Sequence, residues 1–61
     1  MYREYTFEYG TMQRGEQKKI KFTVKAKTII EAEGYAEAFG TSLSVNGYLV
    51  VDCTLIEVRE V

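Results

Sequence analysis

The chain opens with alternation. Tyr5, Phe7 and Tyr9 recur at every second position, with Glu4, Thr6 and Glu8 between them, over the span Tyr2 to Tyr9. A period of two with aromatic residues predicts a half-buried β-strand. The pattern returns from Lys18 to Lys27, where Ile20, Phe22, Val24 and Ala26 interleave with Lys19, Lys21, Thr23, Lys25 and Lys27. Between the two, Gly10 to Gln17 is polar and holds two glycines, which predicts a loop. Two strands joined by one loop should form an antiparallel hairpin. Pairing Phe7 with Ile20 and Tyr5 with Phe22 gathers the apolar residues on one face. The same register sets Glu8 opposite Lys19 and Thr6 opposite Lys21, an arrangement favoured by cross-strand energetics. A slip of one residue would reverse every face.

At Thr28 the period changes. Thr28-Ile29-Ile30-Glu31 fits a capping box, in which the Thr28 hydroxyl accepts from the Glu31 N–H and the Glu31 carboxylate reaches back. Ile29, Ala32, Ala36 and Phe39 follow at helical spacing, with Tyr35 at the edge of the stripe. Glu31 lies in the first turn, where the helix dipole favours negative charge. Gly40 is the expected C′ residue. Gly34, inside the helix, costs about 1 kcal/mol relative to alanine. Asn46-Gly47 predicts a type I′ turn. Tyr48 to Val58 then reads as a long apolar strand, with Leu49, Val51, Cys53 and Leu55 on one face and Tyr48, Val50, Asp52, Thr54, Ile56 and Val58 on the other.

The expected fold is therefore α+β, a single ββαβ domain over residues 1–61. It is a three-stranded antiparallel sheet of order 2-1-3, with one helix packed on one face after a right-handed crossover. The expected core joins Tyr5, Phe7, Ile20, Phe22, Val24, Ile29, Ala32, Ala36, Phe39, Leu49, Val51, Cys53 and Leu55. One helix covers one side of a sheet. Tyr48, Val50, Ile56 and Val58 would then form an apolar patch on the open side, the expected partner or dimer interface. The last strand is also an edge, and it lacks over Tyr48 to Ile56 the lysines that guard the other edge.

Size sharpens that expectation. A chain of 61 residues buries only about 60% of its unfolded surface and needs a disulfide, a metal or a partner to be firmly stable. One cysteine and no histidine remove an internal disulfide and a His/Cys zinc site. A partner subunit is the remaining aid. No apolar run reaches the roughly 18–20 residues of a membrane span. The first residues show no apolar signal segment. A lone thiol fits a reducing cytoplasm.

Catalytic chemistry has little to draw on. There is no histidine base. Cys53 lies in an apolar run, more a core thiol than a nucleophile. Glu31, Glu33 and Glu37 read as a solvated helix face, and the Gly10–Gln17 loop lacks a phosphate-loop pattern. No cofactor and no metal are expected.

The net charge is −1, which exerts no global pull on nucleic acid. Its placement is uneven. Arg14 to Lys27 carries six bases against Glu16, whereas Thr28 to Gly40 carries three glutamates and no base. Lys19, Lys21, Lys25 and Lys27 point one way from one strand, and Tyr2 and Tyr48 are expected on the same side. That face could hold phosphates and stack bases. The leading expectation is a homodimeric inhibitor or regulator acting by contact with a protein target. The alternatives are single-stranded nucleic-acid binding on the Lys/Tyr face and nucleotide binding between subunits.

Overall fold

The computed structural model describes all residues, Met1–Val61. β1 spans Arg3–Gln13, β2 Glu16–Ala26, α1 Ile29–Val45 and β3 Leu49–Glu60. The strands form one antiparallel sheet of order β2-β1-β3, the expected ββαβ topology.

The hairpin has no long loop. β1 and β2 run on through Thr11, Met12, Gln13, Glu16 and Gln17, and only Arg14 and Gly15 turn. Both have positive φ, 54° and 80°, the signature of a type I′ turn, whose twist matches that of the flanking strands. The residues Gly10 to Gln17 are polar because the hairpin tip is wet, not because it is irregular. Closing the turn at Arg14-Gly15 moves the register by two residues. Tyr5 faces Val24, Phe7 faces Phe22 and Tyr9 faces Ile20. A shift of two conserves the faces, so the aromatic stripe stays on the helix side. On the far side Thr6 and Thr23 share a hydroxyl hydrogen bond of 3.0 Å, and Glu8 faces Lys21 while its carboxylate lies 3.7 Å from Lys19.

Only Lys27 and Thr28 separate β2 from α1. The Thr28 hydroxyl accepts from the Glu31 N–H at 3.2 Å, and the Glu31 carboxylate accepts in return from the Lys27 N–H at 3.2 Å. The helix does not stop at Gly40. It continues to Val45 because Leu43 is buried and anchors another turn, worth more than the roughly 1 kcal/mol that a mid-helix glycine costs. Asn46-Gly47 forms a Schellman cap instead of a hairpin turn: Tyr48 N–H donates to Leu43 O, and Gly47 N–H donates to Ser44 O. Gly47 takes the required left-handed conformation, φ 90°. Around Gly34 there is open space, so close packing does not account for it.

The core is small. Tyr5, Phe7, Tyr9, Ala26, Ala32, Ala36 and Leu43 are buried, and Ile20, Phe22, Val24, Phe39, Tyr48 and Val50 pack against them. Phe39 stacks on Phe22 with ring centroids 4.5 Å apart and tilts against Tyr9 at 5.3 Å. Three of the seven buried hydrophobic residues are alanines on α1 or next to it, so the aromatic residues fill most of the volume. The short β2–α1 link and the Phe22–Phe39 stack hold α1 over β2, not centrally over the sheet.

β3 departs most from expectation. Two β-bulges interrupt its ladder with β1: Thr11 faces Val50 while Gly10 faces Asp52, and Phe7 faces Leu55 while Thr6 faces Glu57. Val51 and Ile56 are the extra residues. Each bulge reverses the alternation that follows it. Val50, Cys53, Leu55 and Val58 thus lie on the helix side, and Leu49, Asp52, Thr54, Glu57 and Arg59 on the far side. Leu49, Val51, Cys53 and Leu55 all leave the expected core: the first two turn away from it and are more than half exposed, while Cys53 and Leu55 face the helix side but stay exposed because α1 does not cover them. Ile29, expected in the core, is also exposed.

The bulge at Val51 is braced by Asp52, whose carboxylate accepts from the Gly10 N–H at 3.1 Å. A Cβ on Gly10 would lie 2.7 Å from that carboxylate oxygen. Gly10→Ala should therefore displace Asp52 and destabilise the fold by about 1–2 kcal/mol, the cost of one charge-assisted hydrogen bond plus strain. Urea unfolding checks this. In an Asp52→Ala background the same change should cost much less, and equal costs in both backgrounds would refute the link.

Candidate functional site

Two surfaces held the candidate residues in the sequence, and the structure treats them differently. The far side of the sheet, opposite α1, is built of charged rows: Lys25–Glu4–Arg59, Thr23–Thr6–Glu57, Lys21–Glu8–Thr54 and Lys19–Gly10–Asp52. Four bases meet four acids in these rows. Glu4 lies 3.9 Å from Arg59 and Glu8 lies 3.7 Å from Lys19. Lys19, Lys21 and Lys25 are thus brought together as expected, but with carboxylates interleaved. Lys27 continues the line and sits 5.6 Å from the centre of the Tyr2 ring, so a cation already occupies the aromatic face that a base would stack on. Tyr48 is not on this side at all. It is half-buried against the core as the residue after the Schellman cap. A hollow of about 320 Å³ beside Gly10, Lys19 and Asp52 carries both charges and no convergent chemistry.

The expected apolar patch is also relocated. Of Tyr48, Val50, Ile56 and Val58, the first two pack under the helix side, Val58 lies on the helix side at the far end of β3, and Ile56 projects from a bulge. The two bulges are the cause, because each changes the phase of the alternation. What replaces the patch is β3 itself. Every residue from Val51 to Glu60 is exposed, on both faces. Because α1 sits over β2, the helix side of β3 is left uncovered. An apolar groove of about 490 Å³ runs between them, floored by Phe7 and Tyr9. Ala36, Gly40 and Ser44 on α1 form one wall and Val50, Cys53 and Leu55 the other, with Glu33 and Glu37 on the helix rim. Gly40 keeps this wall low: a Cβ there would touch the Tyr9 ring at 3.5 Å.

Tyr9 is held far from its usual behaviour. Its hydroxyl donates to the Ala36 carbonyl. Burial, then the charge and hydrogen bonding of neighbouring Cys53, push its pKa well above that of a free tyrosine. It is a neutral structural strut between β1 and α1. No cluster of three or more His, Cys, Asp or Glu side chains converges anywhere in the fold, and no helix is long and apolar enough to cross a membrane.

The two edges of the sheet contrast. β2 presents Lys18, Lys19, Lys21 and Lys25 along an uninterrupted ladder. β3 presents Leu49, Val51, Leu55, Ile56 and Val58 at 39–65% exposure, with its outward N–H and C=O groups unpaired. The bulges were not legible in the sequence. Their one local signal is Gly10, a glycine in a strand pattern, which marks a bulge or a close approach.

Comparison with models of protein families, with curated proteins and with solved structures produced no match.

Proposed function

We propose that this chain is a non-enzymatic protein-binding domain that works as a homodimer through the free edge of β3, as an inhibitor or regulator of a protein target. The observation that carries this reading is an exposed edge strand that presents Leu49, Val51, Leu55, Ile56 and Val58 to solvent. Val51 to Glu60 is exposed on both faces and ends the sheet without a guarding lysine over Leu49 to Ile56. Such an edge is a template for another strand.

The surface area agrees. The chain exposes 4473 Å², against about 4,000 Å² for a compact protein of its mass. Its radius of gyration is 12.0 Å, against about 10.5 Å for a compact chain of this length. Single-stranded nucleic acid on Lys19, Lys21, Lys25, Lys27 and Tyr2 has less behind it, since Glu4, Glu8, Asp52 and Glu57 offset the bases and Lys27 covers Tyr2. The lone exposed thiol, Cys53, suits a reducing compartment such as the cytoplasm.

Sedimentation equilibrium at micromolar concentration tests the reading. The expected mass is twice the 7.0 kDa of one chain. A single species at 7.0 kDa up to about 100 μM, well above the Kd of a functional dimer, would sink it.

A further inference from the structure

We infer that two copies join β3 to β3, antiparallel, about a two-fold axis at Thr54, and that the two bulges set this register. This rests on the homodimer proposed above and adds where the axis lies. In a continuous antiparallel sheet, residues directly opposite one another share a face. A two-fold axis normal to the sheet keeps the faces of both copies alike, so each residue must find a same-face partner. The bulges place Val50, Cys53, Leu55 and Val58 on the helix side, and Leu49, Asp52, Thr54, Glu57 and Arg59 on the far side.

Apart from Asp52 and Glu57, which fall opposite the bulge residues, these sets are symmetric about Thr54. An axis there pairs Val50 with Val58 of the second copy, Cys53 with Leu55, Leu49 with Arg59, and Thr54 with itself. The extra residues Val51 and Ile56 meet Glu57 and Asp52. No acid faces an acid and no base faces a base.

Other registers do worse. An axis at Leu55 sets Cys53 against Glu57 and Asp52 against Val58, mixing the faces. An axis at Ile56 sets Asp52 against Glu60. An axis at Cys53 keeps the faces but pairs only Leu49 to Glu57, leaving Val58, Arg59 and Glu60 beyond the ladder, whereas the axis at Thr54 leaves only Glu60. Because α1 packs mainly on β2, the two helices would stand apart over the joined sheet.

The test is disulfide trapping. Directly opposite residues have Cα atoms about 4.5–5.5 Å apart, within disulfide reach, whereas diagonal neighbours lie about 7–8 Å apart, outside it. Thr54→Cys in a Cys53→Ser background should become a covalent dimer in glutathione redox buffer, for most of the protein, on a non-reducing gel. Ile56→Cys in the same background, and the natural chain with Cys53 alone, should stay largely uncross-linked. Thr54, Cys53 and Ile56 are all exposed, and circular dichroism confirms that each variant is folded.

Cross-linking through Cys53 but not through Thr54→Cys would move the axis to Cys53 and overturn the inference. Equal cross-linking of all three chains would also overturn it. A dimer mass with no cross-link at either position would place the interface on another surface. A monomer mass throughout would remove the homodimer itself, and the separate sedimentation result distinguishes that case.

Discussion

Replacing Phe39 with alanine is expected to remove between a third and all of the stability of the fold, about 3 kcal/mol. Phe39 is the contact through which α1 grips the sheet. Its ring stacks on Phe22 at 4.5 Å with 14° between planes, and tilts 54° against Tyr9. The other helix residues in the core are small, Ala32 and Ala36, except for Leu43 near the end. Removing a core phenylalanine costs about 3–5 kcal/mol, and Phe39 is half-buried, so about 3 kcal/mol is the reasonable figure. At about 0.05–0.15 kcal/mol per residue a chain of this length holds roughly 3–9 kcal/mol in all. The loss is a third of the stability at best and the whole of it at worst. Far-UV circular dichroism and a urea titration read the outcome. Phe39→Leu, which keeps most of the volume, should retain a cooperative transition. If Phe39→Ala melts cooperatively within a few degrees of the natural chain, the helix is held by something other than this stack.

Leu55→Lys is expected to dissociate the proposed dimer and leave the fold intact. Leu55 faces Phe7 on the helix side of β3 and is 39% exposed in the single chain, so a lysine there can lift its ammonium into water in the monomer. In the β3–β3 pairing the same side chain lies opposite Cys53 of the second copy, between two apolar strands, and the symmetry brings in two ammonium groups at once. Weakening of about 100-fold, roughly 2.7 kcal/mol, is expected in the dimer dissociation constant, with far-UV circular dichroism unchanged. Thr23→Lys on the β2 edge is the control and should leave the mass as it was. An unaltered dissociation constant for Leu55→Lys would remove β3 from the interface.

Much of this was legible from local pattern. Alternation over Tyr5 to Tyr9 and Ile20 to Ala26 identified the two strands and their helix-facing sides. The misplaced turn did not harm them, because a register error of two residues keeps every face. Thr28 and Glu31 announced the helix start through a capping interaction that spans only four residues. Gly40 and Asn46-Gly47 were misread for one reason. A glycine is compatible with a helix end, a helix interior and a tight turn, and burial of Leu43 chose among them. The far-side lysines were placed together correctly. Their neutralisation became visible only when β3 delivered Asp52, Glu57 and Arg59 to the same rows.

The amino-acid sequence alone determined the order of elements, the topology 2-1-3, the aromatic stripe of the hairpin and the start of α1, because each follows from period, capping or chain connectivity between near neighbours. Tertiary structure alone decided which side of β3 is apolar, how far α1 extends and which strand it covers. Those outcomes depend on how β1 and β3, some 40 positions apart in the chain, fit together. The Gly10–Asp52 contact and the two bulges record that fit, and no window of sequence contains both partners.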